Sequence, residues 1–414
     1  MQERTAIAAQ VRTAHGGPAG TVRLMPPWAC FGLVYLLGTI ATAALGMTAP
    51  FVGEVAASFH VSVAAVGAAL VCLYLPGVVL GAEIGAAVDW LGAKRLMLLS
   101  AVLMVLGDLL QVVCSRLVWF AGDLLVQGIA VSSMMSAGQV LVAREFSGAT
   151  QARALTAWST VNFVGYATGL LLASVFAAGP GWRATYLFHT ALAVACACAA
   201  LTLPHFGGAA FNRGSRPRLG GLRRESNAIR ISIALGLAGI AGVGTNACVS
   251  FYWHTAHHVA LSLTASSVAL GNVLCIPGGL LLGWLLSKGI PPIGLMRGIT
   301  AVSVVSGVVT YLPGIPLAAA IAALYTYQAC LSGITALTYA VIPQSLTDRG
   351  QLAPATGMLL QIGSIGAMAG PTLFFAVVGN EGWKAIVAVL VALWAAALWA
   401  FPRFLSPGRT ASAT

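Results

Sequence analysis

"GAAVDWLGAKR", residues 85–95, places three charged side chains, Asp89, Lys94 and Arg95, within seven positions. In the whole chain only 7% of residues are Asp, Glu, Lys or Arg, and long apolar runs flank this stretch on both sides. Short, charged and punctuated by glycine, it reads as a turn at a membrane surface that joins two spanning helices.

The composition supports that reading. Of 414 residues, 59% are hydrophobic, and the mean hydropathy is +0.91. Soluble domains have roughly 45–50% apolar and about 25% charged residues, so this chain has too little charge to cover a water-facing surface. The net charge of +11 would suggest nucleic acid in a soluble protein. Here the basic residues fall in loops, where they set membrane orientation, and no nucleic-acid partner is expected. The eight cysteines all lie in apolar runs without a CxxC pair, which marks them as small hydrophobes rather than metal ligands or disulfide partners. Residues 28–50 are too long for a signal-peptide core and lack a cleavage site, so they are read as the first helix.

Apolar runs between polar or Pro/Gly breaks predict twelve spanning helices: 28–50, 64–87, 95–114, 117–142, 153–178, 183–203, 229–253, 265–287, 293–312, 316–341, 352–378 and 382–404. The expected fold is an all-α membrane protein with two six-helix bundles, 28–203 and 229–404. Cytosolic tails are expected at 1–27 and 405–414, and a cytosolic linker at 204–228. The linker begins "PHFGGAAFNRGSRPRLGG", and its Gly, Pro, Ser and Arg content is that of a connector.

An even number of helices puts both termini on one side. If that side is the cytosol, 18 of the 21 basic residues lie there, and only Arg116, Arg183 and Lys384 lie outside. The positive-inside rule then orients the chain in a plasma membrane, expected to be a bacterial inner membrane. The halves also repeat. A shift of 201 residues superposes Pro76-Gly77 on Pro277-Gly278, Gln127 on Gln328, Gly165 and Gly169 on Gly366 and Gly370, and Gly181-Trp182-Arg183 on Gly382-Trp383-Lys384. Parallel six-helix repeats point to a carrier with its site between them.

Helix count, repeat, linker and opening stretch together resemble the major facilitator superfamily. Gly85, Asp89, Gly92, Lys94 and Arg95 fit its G-x-x-x-D-[RK]-x-G-[RK]-[RK] loop between helices 2 and 3, and the resemblance covers about residues 28–404. Trp90 and Ala93 replace two of its basic residues, and Ser287 stands where the second-half counterpart would hold Asp. The resemblance implies that this loop latches the halves on the cytosolic side in the outward-open state. The physics of the residue types agrees. Gly85 permits close helix approach, Asp89 can accept from cations or a helix N-terminus, and Gly92 suits a tight turn.

The closest pattern is that of the drug or metabolite:proton antiporters. Gly165 and Gly169 fit part of their helix-5 motif, although Leu170 replaces its proline. Of the helix-4 motif R-x-x-Q-G, Gln127 and Gly128 are present and Leu124 replaces the arginine.

A charge at the bilayer centre costs about 2.5–3.5 kcal/mol on insertion scales, so Glu83, Asp108 and Asp123 require partners or functions. Asp123 is on helix 4, which lines the cavity in the family the chain resembles. It is the first candidate for proton coupling, and Glu83 the second. Asp108 is expected to pair with Arg116 or a polar neighbour. Gln127, His254, Tyr325, Gln328 and Gln361 are candidates for the substrate cavity. His254, His257 and His258 share one helical face, but no acidic ligand is near in sequence, and no metal site is expected.

No Walker A loop, GxSxG elbow or HExxH helix is present. The expected function is therefore not enzymatic and needs no cofactor. It is secondary active transport of a small neutral, zwitterionic or cationic organic molecule, coupled to protons, with export favoured, by a monomer among membrane lipids. Proton-linked uptake of a nutrient or iron-chelating metabolite is the alternative within transport. A transport-inactive sensor or scaffold is the alternative outside it.

Overall fold

The computed structural model describes residues 26–177, 181–203, 219–258 and 261–403. Residues 1–25 of the expected N-terminal tail, 204–218 of the linker and the C-terminal residues from 404 lie outside the described residues. The first half consists of α1 (Pro27–Met47), α2 (Val52–Phe59), α3 (Val63–Leu70), α4 (Leu75–Leu91), α5 (Ala93–Val113), α6 (Leu117–Glu145), α7 (Gly148–Ser159), α8 (Val161–Ala177) and α9 (Gly181–Leu201). A short α10 (Leu219–Leu222) leads to α11 (Ser226–His257), α12 (Leu261–Ser287), α13 (Pro292–Tyr311), α14 (Leu317–Ser345), α15 (Leu352–Glu381) and α16 (Trp383–Ala400). The described residues contain no strand.

Among the described residues, 11 helical segments are long and apolar enough to cross a membrane. The predicted fifth helix is the exception, because it divides at Thr160 into α7 and the 17-residue α8. Ser159 and Thr160 return their hydroxyls to the carbonyls of Thr156 and Ala157 at 2.7 and 2.8 Å. Such back-bonding weakens and bends a helix. The predicted second helix is interrupted too: α3 passes through a 3-10 turn at Val71–Leu73 into α4, with Pro76 in its first turn, where a missing N–H costs little. The short α2 was not expected.

The repeat is visible as packing. In the first half α1 packs on α8, α4 and α5 on α6, and α9 on α5 and α1; in the second, α11 packs on α15, α12 and α13 on α14, and α16 on α13 and α11. Glycine sets the close crossings in both. A Cβ at Gly169 would lie 2.1 Å from the Ala43 carbonyl oxygen, and one at Gly366 2.2 Å from that of Gly236. Lipid gives helices little hydrophobic reason to associate, so small residues and van der Waals contact bring them together. Gly181 and Gly382 each open a helix at φ +77°, a conformation that favours glycine.

Cations close several helix ends. Lys94 Nζ donates to the carbonyls of Leu201, at 3.0 Å, and Leu203. Arg183 donates to those of Val112 and Cys114, and Arg230 to those of Trp399 and Ala400. These are the carbonyls a helix leaves unpaired at its C-terminus, at the negative end of its dipole. Arg230→Met should therefore destabilise the protein by about 1 kcal/mol, read as a lower unfolding temperature in detergent. An unchanged temperature would show that this cap contributes nothing.

Candidate functional site

The two halves meet along a seam. On one flank α4 crosses α15; on the other α7 packs on α12 and α14. Gly77, Gly81 and Gly85 recur every four residues and so share one face of α4. A Cβ at Gly77 would lie 2.9 Å from Ser364 Oγ, at Gly81 2.6 Å from Gln361 Cβ, and at Gly85 2.4 Å from the Ala353 carbonyl oxygen and 2.7 Å from Gly357 Cα. On the other flank a Cβ at Gly283 would meet the Thr156 side chain at 2.4 Å. Gln361 crosses the seam, donating Nε2 to the carbonyl of Val78 at 2.8 Å. It was expected in a cavity wall; here it ties the halves together.

Of the five predicted latch residues, only Gly85 reaches the other half by these contacts. Asp89 accepts from Arg144 of α6, in its own half, at 2.6 Å, with both side chains more than a third exposed. Gly92 ends α4 at φ +86°. Lys94 caps α9, and Arg95 is exposed. Glu83 lies two residues from the glycines on either side, on the exposed face of α4 away from the stripe. An exposed pair such as Asp89–Arg144 is worth about 0–1 kcal/mol. Asp89→Asn should therefore leave stability nearly intact, measured as an unchanged unfolding temperature in detergent.

Within the second half, three helices bring uncharged amides together. Gln328 Nε2 (α14) donates to Asn246 Oδ1 (α11) at 2.8 Å, and Asn246 Nδ2 faces Asn272 Oδ1 (α12) at 3.5 Å. Gln328 is buried, while Asn246 and Asn272 are half-buried. Tyr325 and Gln328 both press on Gly271 of α12. Gln328 and Tyr325 were cavity candidates from the sequence; Asn246 and Asn272 were not. The available signal was two polar amides within apolar runs.

Asp123 and Gln127 lie elsewhere. Gln127 Nε2 donates to Asp123 Oδ2 at 3.1 Å, and both side chains pack at Gly107 of α5. They therefore face the interior of the first bundle, not the seam. Asp108 is paired, as expected, but with His189 of α9 rather than Arg116: Oδ2 lies 2.6 Å from His189 Nδ1, and both side chains are fully buried. Sequence reading overlooked His189. Its only signal was a lone imidazole in the apolar run "YLFHTALAV", residues 186–194. The His254 side chain is outside the described residues; the His257 ring stands edge-on to Tyr252 at 6.1 Å, and His258 ends α11 at φ +55°.

Residues 34–371 match the sequence profile of the Major Facilitator Superfamily. No curated protein matches the chain in sequence. Among solved structures, the human organic anion transporter MFSD10 (TETRAN) superposes with a TM-score of 0.74 at 15% identity, covering 91% of this chain and 100% of that one. The proton:xylose symporter XylE, bound to 6-bromo-6-deoxy-D-glucose, gives 0.69 at 14%, covering 90% and 94%. The E. coli fucose:proton symporter FucP gives 0.70 at 13%, covering 90% and 97%. At such identities the likeness is one of fold.

Proposed function

Since this chain belongs to the Major Facilitator Superfamily, we propose that it is a proton-coupled secondary carrier of a small uncharged organic molecule rich in hydrogen-bonding groups. The observation that carries this reading is the amide cluster of Asn246, Asn272 and Gln328. It offers donors and acceptors without charge, on helices of the half that meets α4 and α7 across the seam. Gly77, Gly81 and Gly85 supply the contact surface on which the halves separate and close. By this reading the basic end of the molecule, with Lys94, Arg95, Arg144, Arg153, Lys288 and Arg349, faces the cytosol of a plasma membrane. The carrier works as a monomer. Export is the proposed direction, resting on Gly165 and Gly169, with Asp123 as the proton-exchanging acid.

Proteoliposome counterflow with a panel of uncharged polar solutes tests the carrier. Gln328→Ala should weaken apparent affinity for the transported solute about tenfold, since an unpaired buried partner costs about 1–3 kcal/mol. Accumulation driven by an acidic lumen supports antiport and export. Accumulation driven by external acid would reverse the direction, and no counterflow of any solute would remove the transport reading.

A further inference from the structure

The turn between α14 and α15 is held by a carboxylate from the linker. Glu225, the residue before α11, is only 4% exposed. Its Oε2 accepts from the Thr347 backbone N–H at 2.8 Å, and its Oε1 from that of Asp348 at 3.0 Å. A buried carboxylate is costly unless its oxygens are hydrogen-bonded, and here both are. The Glu225 backbone is committed as well: its N–H donates to the Leu222 carbonyl, and its carbonyl accepts from Ile229 in the first turn of α11. One residue therefore fixes α10, the start of α11 and the turn before α15 relative to one another.

The neighbours of α10 give this arrangement a consequence. The short helix packs on α15 of the second half and also on α4 of the first. Leu222 is buried. Gly221 admits the side chain of Gln351, since a Cβ there would lie 2.6 Å from its Nε2. Gln351 stands two residues before Ala353, whose carbonyl oxygen meets Gly85 across the seam. The end of the linker thus lies beside the Gly85–Ala353 contact, at one end of the α4–α15 crossing.

The halves cannot part at this end while α10 stays on both α4 and α15. A four-residue helix does not hold its shape alone, and ordering it anew at each closure would cost conformational entropy. Held by Glu225, it is already in place when α4 arrives, and preorganisation of this kind favours the contact.

We propose that residues 219–225 form a clasp for this end of the seam, with Glu225 as its positioning residue: it presents α10 to α4 and so favours the state in which the halves are closed there. The clasp rests on the reading that the halves separate along the seam, and it depends on no particular solute, ion or direction of transport. A glutamate that merely supported the turn before α15 would act on stability alone, because every group it bonds belongs to the linker or to the second half.

The test measures distances between spin labels at positions 95 and 297, both exposed and one on each half, in the full-length protein purified in detergent without solute. Glu225→Gln keeps the shape of the side chain but leaves one oxygen to accept where there were two. It should raise the ratio of long to short distances about fivefold, equivalent to about 1 kcal/mol. Leu222→Ala leaves Glu225 and its bonds in place, trims a buried side chain of α10, and should shift the ratio in the same direction; it decides the matter if Glu225→Gln does not fold. Gly220→Ala, at a glycine whose Cβ would meet nothing within 4 Å, should leave the ratio as it is. A lower unfolding temperature with unchanged distances in Glu225→Gln and Leu222→Ala would overturn the clasp. Gly81→Leu, measured with the same labels, then tells the two readings apart. Longer distances in that variant keep the moving seam and reject the clasp alone, whereas unchanged distances in all three reject both.

Discussion

Gly81→Leu is expected to hold the two halves apart at the α4–α15 crossing and to stop transport while each bundle stays folded. A Cβ at Gly81 would already lie 2.6 Å from Gln361 Cβ and 2.9 Å from both Gln361 Cα and the Gly357 carbonyl oxygen. Two of these three atoms are backbone, so no side-chain rotation relieves the overlap, and α4 or α15 must move. Overpacking of this kind costs about 1–3 kcal/mol, or about 5–150-fold in a balance between two conformations. The same displacement breaks the bond from Gln361 Nε2 to the Val78 carbonyl. Spin labels at positions 95 and 349 should report longer distances than in the parent protein. Gly298→Leu, at a glycine whose Cβ would meet nothing within 4 Å, should change neither distance nor transport. Unaltered distances in Gly81→Leu would mean that the crossing yields locally and does not govern the seam.

That glycine stripe shows how far the sequence could be read. Its period of four was there in "GVVLGAEIG", residues 77–85, and so was the 201-residue repeat that pairs Gly181 with Gly382. Both signals are local or self-referential, and one chain contains them entirely. What the stripe touches was not legible, because Gly357 and Gln361 lie more than 270 residues away and no periodicity links them. Asp123 illustrates a second limit. Hydropathy placed it on a spanning helix, but which neighbour it faces depends on the rotation of α6 against α5, where Gly107 leaves room for its side chain. Gln361 illustrates a third. A glutamine in an apolar run signals a polar contact without saying whether the partner is a solute or a carbonyl of the opposite half. The short α2 escaped because eight residues fall below the length at which a spanning pattern can be recognised.

His189→Leu should be among the most destabilising single substitutions in the first bundle. His189 and Asp108 are both fully buried, 2.6 Å apart, and the imidazole also holds the Ile40 carbonyl of α1. Removing the imidazole strands Asp108 between α5 and α9 with no charged partner, and breaking a buried pair from one side costs about 3–5 kcal/mol. The double substitution Asp108→Leu with His189→Leu removes both ends of the problem. Such apolar replacement is often neutral or stabilising when volume is kept, so the double variant should unfold at a higher temperature than His189→Leu alone. A thermodynamic cycle on the purified protein then yields a coupling energy of several kcal/mol. If the two single losses simply add, the residues do not act as a pair. If the coupling is large, the pair is a fixed strut tying α1, α5 and α9 together.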